Sequence, residues 1–241
     1  MLVKSQIKYI QSLSEKKVRD EDHVFVAEGE KIVGELLQEK RVPPQAIYAL
    51  NGAKITPSDP RVPLEWVTEK EMERISFLSS PSTVLGVFKK PVLPLPDFNN
   101  ELILMLDGIQ DPGNLGTIIR SADWFGVKHI ICSETTADCF NPKVVQATMG
   151  SIARVSVSYE NLHHWCEQHN EIPRYAAMLH GESVKTINPL KYGVLIIGNE
   201  SKGVSESLLQ NGVIAINIPR IGQAESLNAA IATSIILSHL T

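Results

Sequence analysis

The feature that most constrains the fold is a run of five consecutive apolar residues, Leu102-Ile103-Leu104-Met105-Leu106, followed closely by turn chemistry and a helical pattern. A strand that is apolar at every position, rather than at alternate positions, has to be buried on both faces, as strands of a helix-covered parallel sheet are. Asp111-Pro112-Gly113 supplies the turn. The segment 114–125 then puts Leu115, Ile118, Ile119, Ala122 and Phe125 on one helical face. Downstream, strands are expected at 129–132, 175–179, 194–197 and 214–218, and helices at 142–149 and 226–240. In the last helix Leu227, Ala230, Ile231, Ser234 and Ile235 are expected to face inward. Alternating strands and helices predict an α/β fold whose sheet is mostly parallel and covered on both sides.

Pro91, Pro94 and Pro96 forbid a helix and favour extended backbone. They suggest a domain at 1–92, a proline-rich linker at 93–100 and a second domain at 101–241. The first domain reads as a small α/β unit. It has helices expected at 4–13 and 30–39 and strands at 23–27, 46–50, 64–68 and 83–88.

The three cysteines, Cys132, Cys139 and Cys166, form neither a disulfide framework nor a CxxC pair, so no metal site is expected. Free thiols, the lack of a signal-peptide pattern and the lack of an apolar run of about 18 residues suggest a cytoplasmic protein without a membrane span. A net charge of −4 (23 basic, 27 acidic residues) argues against binding nucleic acid by bulk charge. The excess is unevenly spread. Residues 1–98 hold 14 basic and 14 acidic residues, while 1–19 carry Lys4, Lys8, Lys16, Lys17 and Arg19 against Glu15 alone. A local basic patch therefore sits inside an acidic total.

Several familiar motifs fail. GxGxxG is absent. Gly29–Gly34 has Walker spacing but continues Glu35-Leu36 where Lys-Ser/Thr is required. In Gly198-Asn199-Glu200-Ser201-Lys202-Gly203 the serine comes one place too late for a hydrolase elbow. His163, His164 and His169 lack HExxH spacing and read as a solvated face.

Three loops remain, each following a strand where ligands of such sheets bind. They are 107–120, with Asp111-Pro112-Gly113-Asn114-Leu115-Gly116 and Arg120; 198–203; and 218–228, with Ile218-Pro219 and Ser226-Leu227-Asn228. In order and spacing these motifs, D-P-x-N-x-G-x-x-x-R, G-x-E-x-x-G and I-P followed by S-L-N, resemble the SpoU branch of the SPOUT RNA methyltransferases, of the TrmH-like kind. The basic lead, Phe25-Val26-Ala27-Glu28-Gly29-Glu30 and the 80–88 segment resemble the substrate-binding domain often fused to that enzyme, a ribosomal-protein-type RNA-binding domain.

The resemblance implies methyl transfer from S-adenosylmethionine to a ribose 2′-hydroxyl of structured RNA. Large-subunit ribosomal RNA is favoured over transfer RNA, and a non-catalytic RNA-binding or assembly factor is the alternative on the same scaffold. It also implies a deep C-terminal trefoil knot and a homodimer through the knot domain. Leu179, Gly198, Ile218 and Leu227 match cofactor contacts. Gly198 would let the backbone approach adenine, and Ile218 and Leu227 would supply apolar walls. Asn114, Arg120, Glu200, Ser226 and Asn228 match catalytic positions, while Lys16, Lys17 and Arg19 are candidate RNA contacts. Because a guanidinium stays protonated, Arg120 is weighted toward gripping phosphate and stabilising a developing alkoxide. Glu200 is expected to hold Arg120 or the loop. Taken singly, Asn114 and Ser226 read as helix caps, Arg120 as a solvated charge and Glu200 as a turn residue.

Overall fold

The computed structural model describes every residue except Ser58, Leu93, Leu95, Asn99 and Asn211. Three of these fall in the expected 93–100 linker, which to that extent lies outside the described residues. In chain order the elements are α1 (Lys4–Ser12), α2 (Lys16–Glu21), β1 (Val24–Glu28), α3 (Glu30–Leu36), β2 (Pro44–Leu50), β3 (Leu64–Val67), α4 (Glu69–Ile75) and β4 (Val84–Lys89). Then follow β5 (Leu102–Asp107), α5 (Pro112–Trp124), β6 (His129–Ser133), α6 (Pro142–Thr148), β7 (Ser156–Glu160), α7 (Leu162–Gln168), β8 (Arg174–Ser183), β9 (Gly193–Gly198), β10 (Ile214–Asn217) and α8 (Ala229–Leu240). They form two units, Met1–Leu93 with Asp138–Ala153, and Pro94–Ala137 with Arg154–Thr241.

The first unit holds a four-stranded sheet of order β1-β4-β2-β3. β4 runs antiparallel to both neighbours, and β2 pairs with β3 in parallel. On one face, Ile7, Ile10 and Leu13 of the α1 segment and Met72 and Ile75 of α4 pack on Val24, Val26, Tyr48, Leu85 and Val87. α4 starts at a capping box formed by Thr68 and Glu71. Thr68 N–H donates to Glu71 Oε2 (2.9 Å) and Glu71 N–H to Thr68 Oγ1 (3.3 Å).

The helix expected at 142–149 forms as α6, but it packs on β1 within the first unit. Phe140 lies 5.3 Å from the Phe25 ring, with the Lys90 ammonium 4.9 Å above it. Arg19 is buried. It donates to Leu13 O (2.6 Å) and Ser14 O (2.7 Å) and pairs with Asp138 at 2.5 Å.

In the second unit six strands run in parallel, in the order β10-β8-β9-β5-β6-β7. Ile103 and Met105 of β5 and Val194 and Ile196 of β9 share a core with Leu162, Trp165 and Cys166 of α7. Leu104, Leu106, Leu195 and Ile197, which alternate with them, are buried as well. The uninterrupted apolar run is thus covered on both faces, as expected. α5 packs against α8, and Leu115, Ile118, Ile119 and Ala122 of α5 are buried.

The inward face of α8 differs from expectation. Ala229, Ala230, Thr233, Ile236, Leu237 and Leu240 are buried, whereas Ile231 is 53% exposed. This helix is apolar nearly all round, so periodicity could not select its face. Edge strand β7 was not anticipated either, because Ser156-Val157-Ser158-Tyr159-Glu160 is polar at three of five positions.

Candidate active site

Parallel pairing puts the carboxyl ends of β10, β8, β9 and β5 along one edge of the second sheet, and the expected motif loops leave from β5, β9 and β10. β5 and β9 stay in register to their last residues, Asp107 opposite Gly198.

The loop after β5 enters α5 through Asp111. Its Oδ1 accepts from Asn114 N–H (2.8 Å), and Pro112 fills the first helical turn where its missing N–H costs nothing. The N-cap is therefore Asp111, and the Asn114 side chain is free for other work. Asn114 Nδ2 donates to Glu200 Oε1 at 2.5 Å, and Asn228 Nδ2 donates to Asn114 Oδ1 at 2.8 Å. Asn228 is itself the N-cap of α8, accepting from Ala230 N–H (3.0 Å) and Ile231 N–H (3.2 Å). Capping by Ser226 is corrected accordingly: α8 begins three residues later, and Ser226 is exposed.

Three of the expected catalytic residues thus form one hydrogen-bonded chain across three loops. Glu200 holds Asn114, and no bond joins it to Arg120 among the described residues. Arg120 lies six residues beyond Asn114 on α5, a rise of about 9 Å. It is exposed, in a cleft of about 310 Å³ lined also by Thr117, Ser121, Trp124 and Phe125.

The turn after β9 is closed by backbone bonds, Asn199 N–H to Gly203 O (3.0 Å) and Gly203 N–H to Asn199 O (2.8 Å). A Cβ on Gly198 would lie 2.2 Å from Gly203 C and 2.3 Å from Val204 N. A close approach that demands glycine here is made by the chain's own backbone.

Sequence reasoning missed two polar residues beside this glycine. Asp107 Oδ2 accepts from Ser205 N–H (2.8 Å), and Asn199 Nδ2 donates to Gly108 O (2.7 Å). Their position at strand ends was the available signal.

Leu179, Gly198 and Ile218 sit toward the ends of neighbouring strands β8, β9 and β10. Leu179 lies in an irregularity of β8, whose register jumps from Ala176 opposite Ala215 to Glu182 opposite Ile216. Gly181 makes that path possible, with φ +146° and a site for Cβ only 2.4 Å from Ala215 O. Leu179 is 68% and Leu227 46% exposed, and Ile218 is half-buried. Residues 219–227 make no backbone-to-backbone hydrogen bond among the described residues. Arg220 Nη1 donates to Ala224 O (3.2 Å) within this segment. Apolar walls beside backbone left out of any ladder suit an adenosyl group, whose faces are apolar and whose edges are polar. In the first unit, Lys16 pairs with Asp20, and Lys17 lies 3.8 Å from Glu21. Arg19 departs from expectation as an RNA contact, because its guanidinium is spent inside the unit.

Residues 101–238 match the SpoU rRNA Methylase family, and residues 4–86 match the MRM3-like substrate binding domain. A Bacillus subtilis protein named 23S rRNA (guanosine(2553)-2'-O)-methyltransferase RlmP is 31% identical, over 98% of this chain and 95% of its own length. The solved structure of a putative RNA methyltransferase of the TrmH family from Porphyromonas gingivalis superposes with a TM-score of 0.85 at 36% identity, covering 100% of this chain and 98% of that one. An AdoMet-bound rRNA methyltransferase from Sinorhizobium meliloti superposes with a TM-score of 0.84 at 31% identity, covering 100% and 95%.

Proposed function

We infer the function from a premise these matches establish: the chain belongs to the SpoU rRNA methylase family. It transfers a methyl group from S-adenosylmethionine to a ribose 2′-hydroxyl of RNA, and the RNA is that of the large ribosomal subunit. The observation that carries this reading is the chain Asn228–Asn114–Glu200, which joins three strand-end loops into one polar rim.

The donor supplies an already activated sulfonium methyl, so the protein's task is to align the acceptor and stabilise charge. Leu179, Ile218 and Leu227 flank the adenosyl group, and backbone groups of 219–227, outside the Ala224 carbonyl that Arg220 holds, read its polar edges. Gly198 keeps the turn after β9 tight enough to leave room for it. Asn114, Glu200 and Asn228 hold the rim in one geometry. Arg120, with no hydrogen bond or ion pair among the described residues, grips phosphate and stabilises the developing alkoxide. Ser226, exposed beside the rim, touches the substrate.

The first domain, 1–92, reads the RNA, with 93–100 as linker and 101–241 as the catalytic domain, of which Asp138–Ala153 folds with the first unit. Lys16 and Lys17 meet phosphate there, and their acidic neighbours keep the number of such contacts low. A second copy of the chain covers the exposed Trp124 (83%) and Ile231 on neighbouring α5 and α8, giving a homodimer. A trefoil knot at the cofactor loops is part of this reading and follows from the family assignment. No helix among the described residues is long and apolar enough to cross a membrane. Three buried cysteines that form no disulfide and a ribosomal substrate favour the cytoplasm.

The test is transfer of tritiated methyl from S-adenosylmethionine to ribosomal RNA of a strain lacking this protein, followed by nucleoside digestion. A 2′-O-methyl nucleoside in the large-subunit fraction is expected. Label confined to transfer RNA would overturn the ribosomal assignment, and no cofactor binding by calorimetry would overturn the enzyme.

A further inference from the structure

We propose that Asn199 is a positioning residue for methyl transfer, whose side-chain amide ties the turn after β9 to the loop after β5 and so holds Glu200 against Asn114. The inference rests on the methyltransferase reading and extends it to a residue outside the recognised motif positions.

The Asn199 side chain works in two directions. Its Oδ1 accepts from Ser201 N–H (2.9 Å) and Lys202 N–H (3.2 Å), within the turn. Its Nδ2 donates across to Gly108 O (2.7 Å), on the loop that leads to Asn114. Folding the turn does not need the second bond. The two backbone bonds between Asn199 and Gly203 close it, and Gly198 is already packed on the returning backbone. What the donated bond adds is a fixed distance between the turn that carries Glu200 and the loop that leads into α5, in whose first turn Asn114 stands, and those two side chains meet at 2.5 Å. A slip of about 1 Å at a reacting site costs on the order of a hundredfold in rate.

The chemistry at position 199 is specific. Aspartate keeps an acceptor for Ser201 and Lys202 but turns a second oxygen onto the Gly108 carbonyl, so the turn survives and the tie does not. Alanine loses both.

The experiment compares Asn199→Asp, Asn199→Ala, Glu200→Ala and the double variant Asn199→Asp/Glu200→Ala in steady-state methyl transfer to ribosomal RNA, with thermal melting of each. Asn199→Asp is expected to lower kcat on the order of tenfold or more, leave KM for RNA and donor within about twofold, and melt with the unaltered protein. The double variant is expected to be no slower than the slower single variant, because both changes break one coupling. Equal kcat for Asn199→Asp and the unaltered protein overturns the inference, as do losses that multiply in the double variant. Absence of transfer by the unaltered protein overturns the functional reading first, so the two failures are told apart.

Discussion

Asn228 donates its side-chain amide to the Asn114 carbonyl oxygen at 2.8 Å, and this bond has a fixed direction. Asn228 Oδ1 is occupied by the first N–H groups of α8, so its nitrogen has to face Asn114. Asn114 must then accept with oxygen and donate with nitrogen, which makes Glu200 the acceptor at the end of the line. Asn228→Asp keeps the cap and sets an oxygen against Asn114 Oδ1. We expect kcat to fall about tenfold to a hundredfold, with little change in melting temperature. Asn228→Ala also loses the cap and should cost a further destabilisation of about 1 kcal/mol in denaturant melts.

Arg120 is exposed and carries no hydrogen bond or ion pair among the described residues. Its removal should therefore leave stability within about 0.5 kcal/mol while methyl transfer drops by about a hundredfold or more. Robust transfer by Arg120→Ala, measured with tritiated donor, would remove Arg120 from the reaction.

Trp124 and Ile231 are the large apolar groups exposed on adjoining helices α5 and α8. Trp124→Glu puts a charge where a second copy is proposed to bury that surface. Sedimentation should show the unaltered protein as a dimer and the variant as a monomer, and an unchanged dimer would place the contact elsewhere.

Burial of the Arg19 guanidinium against Asp138 makes this pair a matter of stability rather than of RNA affinity. Arg19→Ala strands a mostly buried carboxylate, a loss of about 3 kcal/mol in chemical denaturation. The surface Lys17→Ala should instead leave stability unchanged and weaken RNA binding severalfold, read by filter binding at fixed salt.

Burial pushes the Glu28 carboxyl above its ordinary value of 4.5, and hydrogen bonds from Ser76 Oγ (2.6 Å) and Phe77 N–H (2.7 Å) offset this only in part. A value raised by folding favours the protonated native state. Its contribution is complete below the unfolded value and is lost as pH rises through the folded one. Glu28→Gln retains an acceptor and carries no charge, so its melting temperature should gain on the unaltered protein as pH rises above the ordinary carboxyl value of 4.5. A gain confined to the acidic end would contradict this.

The parallel sheet is determined by the order of residues alone, because an uninterrupted apolar run such as Leu102–Leu106 has one stable environment, covered on both faces. It also located the three polar loops, since glycine, proline and asparagine at strand ends carry their own backbone preferences. Tertiary structure decided what those loops do to one another. Asn114 meets Glu200 across 86 residues and Asn228 across 114, distances closed by the sheet order and not by any local pattern. The same holds for Arg19, which reads as a surface cation in its own helix and is internal because Asp138, 119 residues away, packs on it. The inward face of α8 was undecidable from periodicity, because a helix apolar on nearly every side is oriented only by what it packs against.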